Sequence, residues 1–128
     1  YLGVDTPRGR SFYRYTHDGY GEPGVDQLYS GAGKGRLWPV LTGERGHWEL
    51  AAGNKQKAKA ALLAIESFAN EGQLIAEQVW EHSGEGTGSA TPLAWSHAEY
   101  IRLLVSTVQG RVVDCPPPVV ARYGKKKS

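Results

Sequence analysis

The sequence has no methionine and opens on Tyr1. Translation is therefore not expected to have started there, and the chain reads as a processed product or a piece of a longer protein. Its single cysteine, Cys115, excludes an internal disulfide and a cysteine-built zinc cage, and leaves the compartment open. No apolar run is long enough to span a bilayer, and no signal-like stretch opens the chain. An excess of one charge is also missing: 15 basic against 13 acidic residues leave a formal charge of +2. That balance predicts neither a nucleic-acid nor a membrane partner. The small basic surplus gathers at Lys125, Lys126 and Lys127 and reads as a solvated end. Neither Asn54 nor Asn70 heads a glycosylation sequon, and His17, His47, His82 and His97 lack metal-ligand spacing. The expectation is a protein without metal or cofactor.

What is present is glycine and aromatic side chains together. Disordered linkers lack aromatics, yet this chain of 128 residues carries four Trp and seven Tyr among its 17 Gly. That combination points to ordered loops around a small-ligand pocket. Residues 1–39 show no sustained periodicity and read as long loops, with a short helix or strand around Phe12 to Tyr15. Thr42 can cap a helix running through Glu44 and Trp48 to Ala52. Asn54 can cap a second, in which Ala58, Ala61, Leu62, Ile65, Phe68 and Ala69 follow helical spacing opposite a lysine-rich face. Asn70 and Gly72 would close it. Thr91 and Pro92 predict a third helix over 92–108, apolar on more than one face and therefore largely buried, stopped by Gly110. Cys115-Pro116-Pro117-Pro118 predicts an extended polyproline-like tail.

Few segments carry chemistry. Gly31-Ala32-Gly33-Lys34-Gly35-Arg36 lacks the Lys-Ser/Thr ending of a phosphate loop. Ser96 lies inside a predicted helix rather than on a nucleophile elbow. The run Leu74-Ile75-Ala76-Glu77-Gln78-Val79-Trp80 is the exception, because it sets a carboxylate between aliphatic neighbours. An acid there is costly to bury unless paired, hydrogen-bonded or catalytic. Glu77 thus either faces solvent from a short strand or works in a pocket. Cleavage of a glycosidic bond requires two carboxylates across a sugar, and Glu77, Arg14, Tyr15, Asp18, Trp38 and Trp80 are the residue types such a site uses.

Four segments in order carry a resemblance: Arg14-Tyr15-Thr16-His17-Asp18-Gly19-Tyr20, Gly35 to Arg45 around Trp38-Pro39, Ala76-Glu77-Gln78-Val79-Trp80, and Pro92 to Tyr100 around Trp95-Ser96. Together they resemble the C-terminal part of the bacterial glucoamylases and glucodextranases of glycoside hydrolase family 15, over roughly residues 4–113. The resemblance implies an all-α fold, the C-terminal portion of an (α/α)6 barrel with long loops, over 1–113, followed by a Pro-rich and basic tail over 114–128. It implies inverting, exo-acting release of glucose from α-glucan ends. It places the general base on Glu77 and substrate contacts on Arg14, Tyr15, Trp38 and Trp80. Trp95-Ser96 would pack in the final inner helix. Glu44, with Arg45, reads as a structural or outer-subsite contact. No segment matches the one carrying the family's general acid, so the N-terminal part of the same protein is the expected partner. A glucodextranase, a trehalase-like hydrolase, or a catalytically silent carbohydrate-binding fragment are the competing readings. Enzymes of this kind are commonly exported, and a periplasmic or extracellular location is the expectation.

Overall fold

Pro7 and Arg8 make a two-residue turn that folds the first described residues into a hairpin. In the computed structural model, which describes residues 2–123, strands β1 (Gly3–Thr6) and β2 (Gly9–Phe12) pair antiparallel, with Gly3 opposite Phe12 and Thr6 opposite Gly9. Thr6 Oγ1 closes the turn by donating to the Gly9 carbonyl at 2.8 Å. The turn needs glycine at position 9. Its φ is +126°, and a Cβ there would stand 2.5 Å from that of Ala64. The all-α expectation is thus corrected to a mostly helical fold with a small two-stranded sheet. Strands of four residues leave too few positions for alternation to register.

Helix α1 runs Pro39–Ala51, with Trp38 at the N-cap and Pro39 in the first turn. It begins earlier than Thr42 because proline suits that position. Thr42 is instead buried, donating toward the Arg10 carbonyl and Ser11 at 3.1 Å and so tying α1 to β2. Helix α2 (Lys55–Ser67) follows Asn54, ends short of Asn70 and buries Ala58, Leu62, Ala64 and Ile65. Helix α3 (Ala94–Gln109) starts two residues after Pro92: Leu93 is its N-cap in extended conformation, with its N–H donating to the Ile75 carbonyl at 3.0 Å. Gly110, at φ +67°, terminates it. The proline run does not stay extended: Pro117–Tyr123 forms the short, exposed helix α4, with proline at its N-terminus where a missing N–H costs nothing. Tyr1 and the lysines at 125–127 lie outside the described residues.

Two apolar clusters flank α2. One joins Leu37, Ala64, Phe68 and Val79 beneath the hairpin; the other joins Leu62, Ile65, Ile75 and Leu103 toward α3. Helices α1 and α3 approach closely because α1 offers glycine to its partner. A Cβ on Gly43 would meet Glu99 Cγ at 2.4 Å, and one on Gly46 would meet Leu103 at 2.6 Å. The buried stripe of α3 is therefore Ser96, Glu99, Leu103 and Ser106, while Ile101, Val105 and Val108 face outward. The expected burial of α3 on most sides does not occur within this chain, because its three longer helices cannot enclose one of their own number. A closed barrel is correspondingly not formed by these residues. Among the described residues no helix is long and apolar enough to cross a membrane.

Candidate active site

The glycine-rich segment before Trp38 is a clasp. Gly33, Lys34 and Gly35 donate backbone N–H groups to the carbonyls of Gly19, Gly21 and Asp18 at 3.1, 3.2 and 2.6 Å. A Cβ on Gly33 would fall 1.7 Å from the Gly21 oxygen, which explains glycine there better than phosphate binding does. Beyond the clasp, Leu37 and Val79 exchange N–H···O bonds of 3.3 and 2.8 Å, and the Trp38 N–H reaches the Phe12 carbonyl at 2.9 Å. These pairings draw together the three segments that carry Arg14, Trp38 and Glu77.

Glu77 is half-buried in an irregular loop rather than a regular strand. Its Oε2 accepts the Tyr20 hydroxyl at 3.0 Å, and its own N–H is held by the Ala90 carbonyl at 2.9 Å. The hydrogen bond to Glu77, ahead of burial, raises the Tyr20 phenol above its ordinary range, so the phenol stays a donor at neutral pH. A cavity of about 270 Å³ adjoins Glu77, lined by Tyr20, Glu22, Tyr29, Gln78 and Ser89 among others. Gln78 is fully buried, and its Nε2 donates to the Tyr20 carbonyl at 3.2 Å.

Arg14 lies in the same cluster. Asp18 binds it through Nε and Nη2, both at 2.8 Å, and its guanidinium carbon stands 4.6 Å from the Trp38 ring, 5.0 Å from Tyr20 and 5.4 Å from Tyr15. Arrangements of this kind add cation–π attraction to the ion pair. The Arg14 hydrogen bond holds the Asp18 carboxyl below the usual carboxylate range, although burial opposes it. Trp38 is only 4% exposed, and Trp95 meets it edge-on at 6.3 Å. Trp95 is half-exposed, so it extends the aromatic wall as well as packing.

Two candidates sit elsewhere. Trp80 is buried with the Arg36 guanidinium 4.6 Å above its ring. Arg36 in turn holds the carbonyls of Glu22 and Pro23 and the Glu81 carboxylate. This is a pillar behind Glu77, not an open platform. Burial, then the bond to Glu81, pushes the neighbouring Tyr13 up to about 12. Glu44 is exposed on α1 and makes no side-chain hydrogen bond among the described residues; its charge acts on Glu99. Tyr20, Gln78 and Arg36 went unassigned in the sequence, although all three stand inside the motifs. A glycine on either side of a tyrosine was the available signal for Tyr20. Among the described residues no group of three or more His, Cys, Asp or Glu could hold a metal ion.

A half-buried carboxylate, a guanidinium with one edge fixed, and three aromatic rings suit a neutral, polyhydroxylated ligand with apolar ring faces. Residues 3–105 match the family model for glycosyl hydrolases family 15, and the chain belongs to that family. It is 58% identical over 125 residues to a glucoamylase of Clostridium sp. (strain G0005), covering 98% of this chain and 18% of that relative. It also superposes on the crystal structure of a bacterial glucoamylase complexed with acarbose, with TM-score 0.93 and 56% identity, covering 97% of this chain and 18% of that one. The chain thus spans about a fifth of the length of these relatives.

Proposed function

We propose that this chain is the base-bearing part of a glucoamylase-type glycoside hydrolase that releases glucose, with inversion, from the non-reducing ends of α-glucans. The observation that carries the reading is the convergence of Glu77, Arg14 and Trp38 in one cluster beside a cavity. Glu77 acts as general base: it takes a proton from a water as that water attacks the anomeric carbon. A general acid from the N-terminal part of the same protein protonates the departing oxygen. Inversion leaves room for the water, so the two carboxyls stand about 6.5–9.5 Å apart. Arg14, with Nη1 free of hydrogen bonds among the described residues, donates to sugar hydroxyls. Tyr15 supplies apolar surface, Trp38 lines the pocket from beneath the Arg14 guanidinium, and Trp80 acts through Arg36 from behind. Glu44 belongs to the outer rim or to the packing of α1. The outward face of α3 supports completion of an (α/α)6 barrel by the rest of the protein, in which α3 becomes an inner helix.

The test is Glu77→Gln in the full-length enzyme, a near-isosteric change that removes only the basic oxygen. Turnover of a maltooligosaccharide is expected to fall about 10²–10⁴-fold with the melting temperature unchanged. Near-wild-type turnover would remove Glu77 from the chemistry and leave a carbohydrate-binding role for the cluster.

A further inference from the structure

We propose that Tyr20 is the positioning residue of the general base, and that the double-glycine clasp around it exists to hold its hydroxyl against Glu77. The proposal rests on the assignment of Glu77 as base.

Tyr20 is gripped at every polar atom. Its N–H donates to Asp18 Oδ1 at 3.0 Å, its carbonyl accepts from Gln78 Nε2 at 3.2 Å, and its hydroxyl donates to Glu77 Oε2 at 3.0 Å. Consecutive residues, Glu77 and Gln78, thus hold the two ends of one tyrosine. The ring is wedged between Tyr29, edge-on at 5.1 Å, and Trp38 at 6.1 Å, with the Arg14 guanidinium carbon 5.0 Å away. Gly21 follows at φ +153°, where a Cβ would stand 2.3 Å from the Lys34 carbonyl and 2.6 Å from Gln78 Oε1. Only glycine fits, and the opposing Gly33 is excluded from larger side chains by the Gly21 oxygen. The clasp fixes the backbone on which the phenol is mounted.

The hydroxyl contributes in two ways. It occupies Oε2, so rotation about the last side-chain bond of Glu77 is blocked and Oε1, which accepts no hydrogen bond among the described residues, is left for the water. It also makes a charge-assisted hydrogen bond to the carboxylate, which holds Glu77 at one fixed distance from the phenol. No proton moves through it. Asp18 Oδ1 accepts both from the Tyr20 N–H and from Arg14 Nη2, so the base and the sugar-holding guanidinium share one anchor.

The experiment uses the full-length enzyme on a maltooligosaccharide. Tyr20→Phe is expected to lower kcat about tenfold with KM within about twofold. A kcat within about twofold of the wild type overturns the proposal, as does a raised KM with kcat intact, which would make Tyr20 a substrate contact. Glu77→Ala with added azide separates the two readings. Azide needs no deprotonation, attacks the anomeric carbon as the leaving oxygen takes its proton from the acid, and yields a glucosyl azide. Added to Glu77→Ala, Tyr20→Phe is expected to leave the azide-rescued rate within about twofold, because no base is then in use; a further tenfold loss sinks only the positioning role. A Glu77→Ala enzyme active without azide sinks the base assignment, and the positioning role with it.

Discussion

Asp18 grips Arg14 by two parallel bonds of 2.8 Å, Nε to Oδ2 and Nη2 to Oδ1, and so decides which edge of the guanidinium faces outward. The ion pair occupies one edge of the fork and leaves the other edge for the substrate contact proposed above. A planar fork can serve both at once because five N–H donors share one rigid plane. Lysine offers one point charge and cannot. Arg14→Lys in the full-length enzyme is expected to lower kcat/KM more than about tenfold. Unchanged kinetics with a lowered melting temperature would leave Arg14 a purely structural partner of Asp18.

The same pair has a pH signature. The Arg14 hydrogen bond, working against burial, holds the folded Asp18 carboxyl below its ordinary value, which in the unfolded chain is about 3.9. The unfolded state therefore binds the proton more readily. The stabilisation is fully present above the unfolded value and is lost as pH falls through the lower, folded one. Melting temperatures of the full-length enzyme, recorded between about pH 3 and pH 6, are expected to fall less steeply at the acidic end for Asp18→Asn than for the wild type. Parallel curves would show that Asp18 titrates alike in both states.

A third prediction concerns the α1–α3 contact. Glu99 is sealed between His47, at 2.8 Å from Oε1, and Arg102, at 2.5 Å from Oε2, while the other His47 ring nitrogen meets Ser106 at 3.1 Å. Burial raises the Glu99 carboxyl against the opposing pull of Arg102 and His47. Glu99→Ala leaves His47 and Arg102 without their shared acceptor and opens a void beneath Gly43. Arg102 is half-exposed and keeps Asp114, so the loss falls on the buried His47 donor and the void, and denaturant titration is expected to register about 1–3 kcal/mol. Glu99→Gln, which keeps an acceptor and the volume, costs less. Equal losses would locate the effect in shape rather than in the hydrogen bonds.

The three longer helices were legible because their signals are local, such as Asn54 before a spaced Ala/Leu/Ile face and Gly110 after the last turn of α3; the start of α1 at Pro39 and the short helix α4 were not read. The Glu77 segment was legible because an acid amid aliphatic residues demands an explanation. The hairpin was missed because its register depends on a turn and on Ala64 of a helix far along the chain. The burial of α3 was misjudged for a related reason. Its contact with α1 is made by Gly43 and Gly46 against Glu99 and Leu103, and no periodicity of apolar residues marks a face built from glycine. Residue type suggested Trp80 as a substrate contact, and nothing local in the sequence marks Arg36 as the group lying over its ring.

The last prediction follows from what α3 leaves uncovered. Ile101, Val105 and Val108 face outward, Val108 at 80% exposure, and Leu63 of α2 and Trp48 of α1 are more than half exposed. Scattered apolar side chains on a surface are ordinary, but three on one face of the longest helix form a stripe that water should not wet. Among the described residues, the other carboxylates beside Glu77 are those of Asp18 and Glu22, and both are buried. Asp18 is locked to Arg14, and Glu22 is buried with Oε2 sealed and unpartnered. Expressed alone, residues 1–128 are therefore expected to be insoluble, or to melt without cooperativity and bind a hydrophobic dye, and to release no glucose from any α-glucoside. Joined to the rest of the protein, the segment should melt in one transition with it, because the stripe on α3 is then enclosed. Calorimetry and a glucose assay on both preparations decide the matter. A soluble, cooperatively melting monomer of 128 residues that releases glucose would mean that α3 needs no further neighbours and that the second carboxylate lies within this chain.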